Sequence, residues 1–64
     1  MYRIVHPDGR IVKKDKKLER YYVRYKTDMD EDMDVFETED LSEAESVLEA
    51  TRRAWTDEFV IKEE

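Results

Sequence analysis

The chain has 64 residues, no cysteine, 47% charged residues and a formal net charge of −6. This length predicts one domain, residues 1–64, with a small core, and the lack of cysteine excludes disulfides and thiolate metal sites. No apolar run approaches the roughly 18 residues of a membrane span, and no signal stretch opens the chain, so we expect a cytoplasmic protein without a membrane partner.

The first predicted element is a β-hairpin. Residues 2–6 alternate between the two faces of a strand, and Pro7-Asp8-Gly9 then supplies a preset φ, a turn-forming carboxylate and a residue that tolerates positive φ. The second strand begins at Ile11 and ends in the lysine-rich run 13–17, which is typical of an exposed edge or turn.

A third strand is predicted from Glu19 to Thr27, because this segment is rich in β-forming residues. One face carries Tyr21, Val23 and Tyr25, and the other carries Tyr22, Arg24 and Lys26. Residues 28–33 lack periodicity and predict a loop. A short fourth strand follows, Asp34 to Thr38, with Phe36 directed inward.

A helix and a fifth strand complete the pattern. Asp40 is the predicted N-cap, and Glu43 is placed to complete a capping box. The apolar stripe of this helix recurs at three- and four-residue steps: Leu41, Ala44, Val47, Leu48, Thr51 and Trp55. The last strand runs from Glu58 to Lys62, with Phe59 and Ile61 inward and Val60 outward.

These elements predict an α+β fold of order β-β-β-β-α-β. A small antiparallel sheet of four to five strands would pack one helix on one face. Strand order 5-1-2-3-4 and a 4-3-5 core with an appended hairpin both satisfy the pattern. In either arrangement, we expect the sheet face that carries Tyr22, Arg24 and Lys26 to stay open to solvent or to a partner.

Charge is segregated along the chain. Residues 1–27 carry nine Lys or Arg against three Asp or Glu, whereas residues 28–64 carry three against fifteen. Ten acids and no base lie between residues 28 and 45, and we predict that they form a partner-binding patch that resembles a phosphate backbone to a basic cleft. The predicted patch consists of Asp28, Asp30, Glu31, Asp32, Asp34, Glu37, Glu39, Asp40, Glu43 and Glu45.

The start of this patch has the acid spacing of a calcium-binding EF-hand loop. Residues 28–39 place carboxylates at positions 1, 3, 5, 7 and 12 of such a loop, but Met33 stands where the sharp turn needs glycine. The flanking segments also read as strands rather than helices. We therefore predict no well-formed metal site, and weak divalent binding stays open as a hypothesis.

The basic half suggests an alternative, the binding of nucleic acid. Arg20, Tyr22, Arg24 and Lys26 combine cations with an aromatic ring, as on sheets that neutralise phosphates and stack bases. The acidic second half would repel the same ligand, so nucleic acid is the less favoured partner.

Catalytic chemistry has little support in the sequence. His6 is the only histidine and lies beside a turn, where we expect a surface or strand-end residue, and the chain has a single glycine. No nucleophile and base are placed together and no phosphate-cradling loop is present, so we predict a protein that is not an enzyme and has no cofactor.

From Tyr21 onward the chain resembles the small inhibitors of host RNA polymerase made by T7-type bacteriophages. The resemblance rests on the strand Tyr21-Tyr22-Val23-Arg24-Tyr25, the strand around Phe36, the helix opening at residues 40–45, Trp55, and the strand at residues 58–61. It implies a three-stranded antiparallel sheet with one helix, and binding to the polymerase without catalysis. It assigns no role to an individual residue.

Our leading hypothesis is a non-enzymatic protein-binding module. It would act as an inhibitor of the phage or mobile-element type and occupy a basic surface of a host protein, RNA polymerase or another nucleic-acid-binding protein. The alternatives are a small nucleic-acid-binding domain and a structural or designed domain without a ligand. Partner identity and oligomeric state stay open.

Overall fold

The computed structural model describes residues 1–29 and 31–64. The strands are β1 (Tyr2–Val5), β2 (Arg10–Asp15), β3 (Tyr21–Tyr25), β4 (Met33–Val35) and β5 (Val60–Glu63), and the helix α1 (Leu41–Ala54) lies between β4 and β5. The predicted α+β class and the order β-β-β-β-α-β are confirmed. Within the described part, no helix has the length and apolar character that a membrane span requires.

The β1–β2 hairpin forms at the predicted turn. Gly9 has a φ of 99°, which a residue with a side chain rarely adopts. The His6 N–H donates to the Arg10 carbonyl oxygen at 2.9 Å, and the Asp8 carboxylate accepts the Arg10 N–H at 3.0 Å. The turn is therefore closed by both backbone and side-chain hydrogen bonds.

The sheet has the order β3-β2-β1-β5, and all of its strand pairs are antiparallel. One edge of β2 pairs with β3, and the other edge pairs first with β1, at Ile11, and then with β4, at Lys13 to Asp15. The 5-1-2-3 part of one predicted order is present. Neither predicted order placed β4 beside β2, and both are wrong at that point.

This topology makes the β3–β4 connection cross β2. Tyr25 at the end of β3 lies opposite Arg10, whereas Met33 at the start of β4 lies opposite Asp15 on the other edge. Lys13 is only 5% exposed, and its Nζ donates to the carbonyl oxygen of Asp28 at 2.9 Å. The connection thus covers part of the sheet face away from the helix, which we had expected to be open.

The helix begins where the sequence predicts. Asp40 is the N-cap, and its Oδ1 accepts the Ser42 N–H at 2.9 Å. The N–H of Asp40 itself donates to the hydroxyl of Thr38 at 3.1 Å. Thr38 thus takes the place that a capping box would give to Glu43, and the carboxylate of Glu43 is left for other contacts.

The core lies between the sheet and α1. Ile4, Val12, Phe36, Val47 and Phe59 form its buried cluster. The inward predictions for Phe36 and Phe59 are confirmed. The Val60 side chain is 45% exposed and directed outward, as expected.

The ends of the helix extend beyond this core. Leu41 is 45% exposed and Trp55 is 49% exposed, so the two ends of the predicted apolar stripe are not buried. Geometry explains the difference, because a 14-residue helix is about 21 Å long, whereas the four-residue strands β1 and β5 beneath it span about 13 Å.

Candidate functional site

An acidic groove of about 330 Å³ lies beside β4 and the start of α1. Its carboxylates are Asp15, Glu19, Asp34, Glu37 and Glu43, and its cations are Lys14 and Lys16. Five carboxylates against two lysines give this groove an excess of negative charge. The structure therefore brings together three of the predicted patch residues, Asp34, Glu37 and Glu43.

Ion pairing inside the acidic groove is partial. The Nζ of Lys16 lies 3.7 Å from the Asp34 carboxylate, and both side chains are more than half exposed, so this pair is weak. Glu37 pairs with Arg3. Glu43 and Glu19 form no ion pair within the described residues, and they leave the net charge of the groove unbalanced.

Glu39 and Asp40 add two carboxylates at the helix N-terminus, between the groove residues Glu37 and Glu43 along the chain. Both are exposed and lie within four residues of Glu43. Carboxylates at this end of a helix are stabilised by the helix dipole, which explains their tolerance there. Asp40 is already engaged as the N-cap, whereas the Glu39 carboxylate forms no hydrogen bond or ion pair with the described residues.

The remaining predicted patch residues lie elsewhere. Asp28 belongs to the connection that crosses β2, and its carboxylate accepts the Tyr25 N–H at 3.0 Å. Glu31 and Asp32 are exposed in the same connection. Asp30 lies outside the described residues. Glu45 lines a separate depression with Glu49, Arg52, Arg53 and Asp57. The patch is continuous in sequence but divided on the surface.

Arg3 is a cation whose importance the sequence did not reveal. Its guanidinium pairs with Glu37 and also, at 2.8 Å, with Glu64, and its side chain is only 24% exposed. It therefore links β1 to the segment after β4 and to the last residue. The alternation of β1 was the available signal, because it places Arg3 on the sheet face away from the helix.

The four residues of the nucleic-acid alternative do not line one common groove. Arg24 stacks its guanidinium over the Tyr22 ring at 5.5 Å and donates to the Val23 carbonyl oxygen. Arg20 lines a groove on the helix side. Lys26 instead lines a depression of about 200 Å³ together with Arg3, Arg10 and Lys62, and the sequence pattern did not indicate this group of cations.

His6 follows the end of β1, as expected, but it is 8% exposed rather than on the surface. Its Nδ1 lies 2.7 Å from the Asp8 carboxylate and its Nε2 lies 3.3 Å from that of Glu58. The ring packs edge-on against Phe59, with centroids 4.9 Å apart. His6 therefore joins the hairpin turn to the start of β5, and this role is structural.

Asp8 is held in its ionised form by the same turn. Desolvation acts to raise the pKa of Asp8, but the Arg10 N–H, the Arg10 guanidinium and His6 together lower it below its usual value. The Nε of Arg10 donates to the carboxylate at 2.9 Å. Arg10 is thus committed to the turn and is not available to the acidic groove.

Comparison with known proteins finds no matching family model, no significantly similar curated protein and no significantly similar solved structure. Among residues 1–29 and 31–64, no three histidine, aspartate or glutamate side chains converge as metal ligands would. Weak cation binding by the 28–39 loop stays a prediction.

Proposed function

We propose that this chain is a non-enzymatic protein-binding module that presents its acidic groove and the neighbouring helix N-terminus to a basic surface of a partner. The observation that carries the proposal is the exposure of Glu39 and Glu43. Glu43 lines the acidic groove, Glu39 directly precedes the helix N-cap, and neither forms an ion pair within the described part of the chain.

Three cations of the first half are engaged elsewhere, and Lys16 reaches only Asp34, through a weak exposed pair. Arg3 pairs with Glu37 and Glu64, Arg10 closes the hairpin turn, and Lys13 holds the β3–β4 connection. An unbalanced acidic surface attracts basic partners, and such attraction raises association rates and selects partners more than it deepens affinity.

The partner that fits this chemistry is a nucleic-acid-binding protein. Its basic cleft would accept carboxylates in place of phosphates, and the resemblance to phage inhibitors makes a host RNA polymerase the first candidate. The chain would then act in the cytoplasm as an inhibitor of the phage or mobile-element type, by occupying the cleft.

Direct binding of nucleic acid has less support. Tyr22 has one ring face under the Arg24 guanidinium, and Arg20 and Lys26 line different depressions. The ring face that would stack on a base is therefore partly covered, and Arg20 and Lys26 do not share a groove for the phosphates. A structural or designed domain without a ligand is the remaining alternative.

The test is affinity capture from a bacterial lysate by three immobilised versions of the chain. These are the wild type, Glu39→Gln/Glu43→Gln, and the control Asp57→Asn/Glu63→Gln, which removes two exposed carboxylates elsewhere. We expect the wild type and the control to retain nucleic-acid-binding proteins and to release them when duplex DNA is added. The Glu39/Glu43 variant should retain about fivefold less.

Two results would contradict the proposal. One is equal recovery by all three versions, which would leave the two glutamates without a role. The other is no specific recovery by any version, which would favour a domain without a ligand. Binding of the labelled DNA itself by the wild type would instead favour the nucleic-acid alternative.

A further inference from the structure

An apolar groove of about 450 Å³ lies between the start of β3 and the C-terminal half of α1. It is lined by Tyr21, Val47, Ala50, Thr51, Ala54 and Trp55, with Glu19 and Arg20 beside them. Trp55 is the last residue of the predicted apolar stripe. The structure places its indole, 49% exposed, at this groove.

The composition of the apolar groove is typical of a protein-binding site. Tyr21 is 37% exposed, and the two alanines between the aromatic side chains are exposed as well. Tryptophan and tyrosine supply large contact areas at low entropic cost and dominate the binding energy of many interfaces. Small residues between them leave room for an incoming apolar side chain.

The apolar groove continues into the acidic groove. Glu19 lines both, and Glu43 precedes Val47 by one helical turn on α1. The surface is therefore polarised along the helix, with carboxylates at its N-terminal end and apolar side chains at its C-terminal end. A complementary partner segment must carry cations next to its apolar side chains.

The free edge of β3 is poorly suited to adding a strand from a partner. The Tyr25 N–H is occupied by the Asp28 carboxylate, and the Val23 carbonyl oxygen accepts a hydrogen bond from Arg24. An edge capped in this way resists strand pairing. Docking through side chains, as an amphipathic helix does in a groove, remains available.

We infer that the apolar groove and the acidic groove together form a docking surface for an amphipathic helix of a partner protein that carries Lys or Arg beside its apolar face. This inference rests on the proposed function and specifies the partner segment. A helix of about 14 residues would match the length of α1.

The test uses three synthetic helical peptides of 18 residues. The first has a leucine stripe flanked by lysines, the second replaces the leucines by glutamine, and the third replaces the lysines by glutamate. Binding is measured by calorimetry and by the fluorescence of Trp55, the only tryptophan in the chain. We expect the first peptide to shift the emission to the blue and to bind at least tenfold more tightly than either of the others.

Matched variants locate the binding. Trp55→Ala should weaken binding of the first peptide about tenfold, whereas Leu41→Ala should change it less than twofold, although Leu41 is exposed to a similar extent on the same helix. Glu43→Gln should weaken it about threefold at low salt, and the exposed Asp57→Asn should not.

The outcomes separate this inference from the proposed function. If Trp55→Ala binds the first peptide as the wild type does, while Glu39→Gln/Glu43→Gln still loses its captured proteins, the docking inference is wrong and the acidic surface acts alone. Failure of the wild type to bind the first peptide also overturns the inference. Sedimentation showing a dimer that Trp55→Ala abolishes would assign the groove to a second copy of this chain instead.

Discussion

Several cations of residues 1–27 differ from the acids at the start of the helix in how far they are buried and in whether they make contacts within the fold. Arg3, Arg10 and Lys13 are buried or half-buried in contacts that hold the sheet, the turn and the β3–β4 connection. Glu39 and Glu43 are exposed and make no such contacts. These three cations therefore stabilise the fold, whereas these two acids remain at the surface without a counter-ion among the described residues.

Removing Arg3 should cause the largest loss of stability among these charges. Arg3→Met leaves the carboxylates of Glu37 and Glu64 near one another without their shared counter-ion. We expect the free energy of unfolding, measured by urea titration, to fall by about 2–3 kcal/mol. The control Lys62→Met removes a more exposed partner of Glu64 and should change it by less than about 0.5 kcal/mol.

Lys13→Met should have the next largest effect. It keeps the buried stem but removes the Nζ that donates to the Asp28 carbonyl oxygen, so we expect a loss of about 1–2 kcal/mol. The Lys16 amide, which donates to the Asp32 carbonyl oxygen, should also exchange its hydrogen faster. If Lys13→Met and the exposed control Lys17→Met are equally stable, the connection is not held by Lys13.

Asp15 allows a test by pH. The backbone N–H groups of Leu18 and Lys17 hold the pKa of Asp15 below its usual value of 3.8, against a weaker effect of desolvation. A pKa that is lowered in the folded state stabilises the protein when the pH is above the usual pKa of the carboxyl group. That stabilisation is lost as the pH falls through the lowered pKa. Asp15→Asn should therefore be less stable than the wild type at pH 5–7, and the gap should close in stronger acid.

The control for this titration is Asp32→Asn, because the Asp32 carboxylate makes no hydrogen bond or ion pair within residues 1–29 and 31–64. Its stability should follow the wild type across the whole range. A gap between wild type and Asp15→Asn that persists unchanged in strong acid would mean that Asp15 acts through something other than its charge.

Neutralising the surface acids should have the smallest effect. Glu39→Gln/Glu43→Gln should change the free energy of unfolding by less than about 0.5 kcal/mol, because the lost interaction with the helix dipole is offset by relief of repulsion. A large loss of the free energy of unfolding in urea titration would show that these glutamates stabilise the fold. It would contradict the contrast between the contacts of the cations and the exposed acids.

Periodicity predicted most of the local structure. Alternation located the strands, and the Asp40 cap, the inward Phe36 and the inward Phe59 followed from position alone. The same alternation groups His6 with Tyr2 and Ile4 on one face of β1, but its neighbour Pro7 led us to expect exposure. In the structure His6 is buried. The carboxylates of Asp8 and Glu58 lie next to its ring nitrogens, and Phe59 packs against the ring.

Long-range arrangement could not be read in the same way. A period of two residues gives the face of a strand but not its neighbours, so nothing indicated that β4 would pair with β2 across from β3. The run of acids from Asp28 to Glu45 likewise gave no sign of its division, which follows from the crossing of β2 and from helix geometry. The exposure of Trp55 reflects the mismatch in length between α1 and the strands beneath it.

The most direct measurement is the thermal midpoint of the wild type as sodium chloride rises from about 0.01 M to about 0.15 M, which shortens the screening length from about 30 Å to about 8 Å. If the surface carboxylates mainly repel one another, salt weakens that repulsion and stabilises the folded protein. We therefore predict that the thermal midpoint rises by about 3 °C or more. A fall in the midpoint would show that the two halves mainly neutralise each other, and it would contradict an acidic surface left free for a partner.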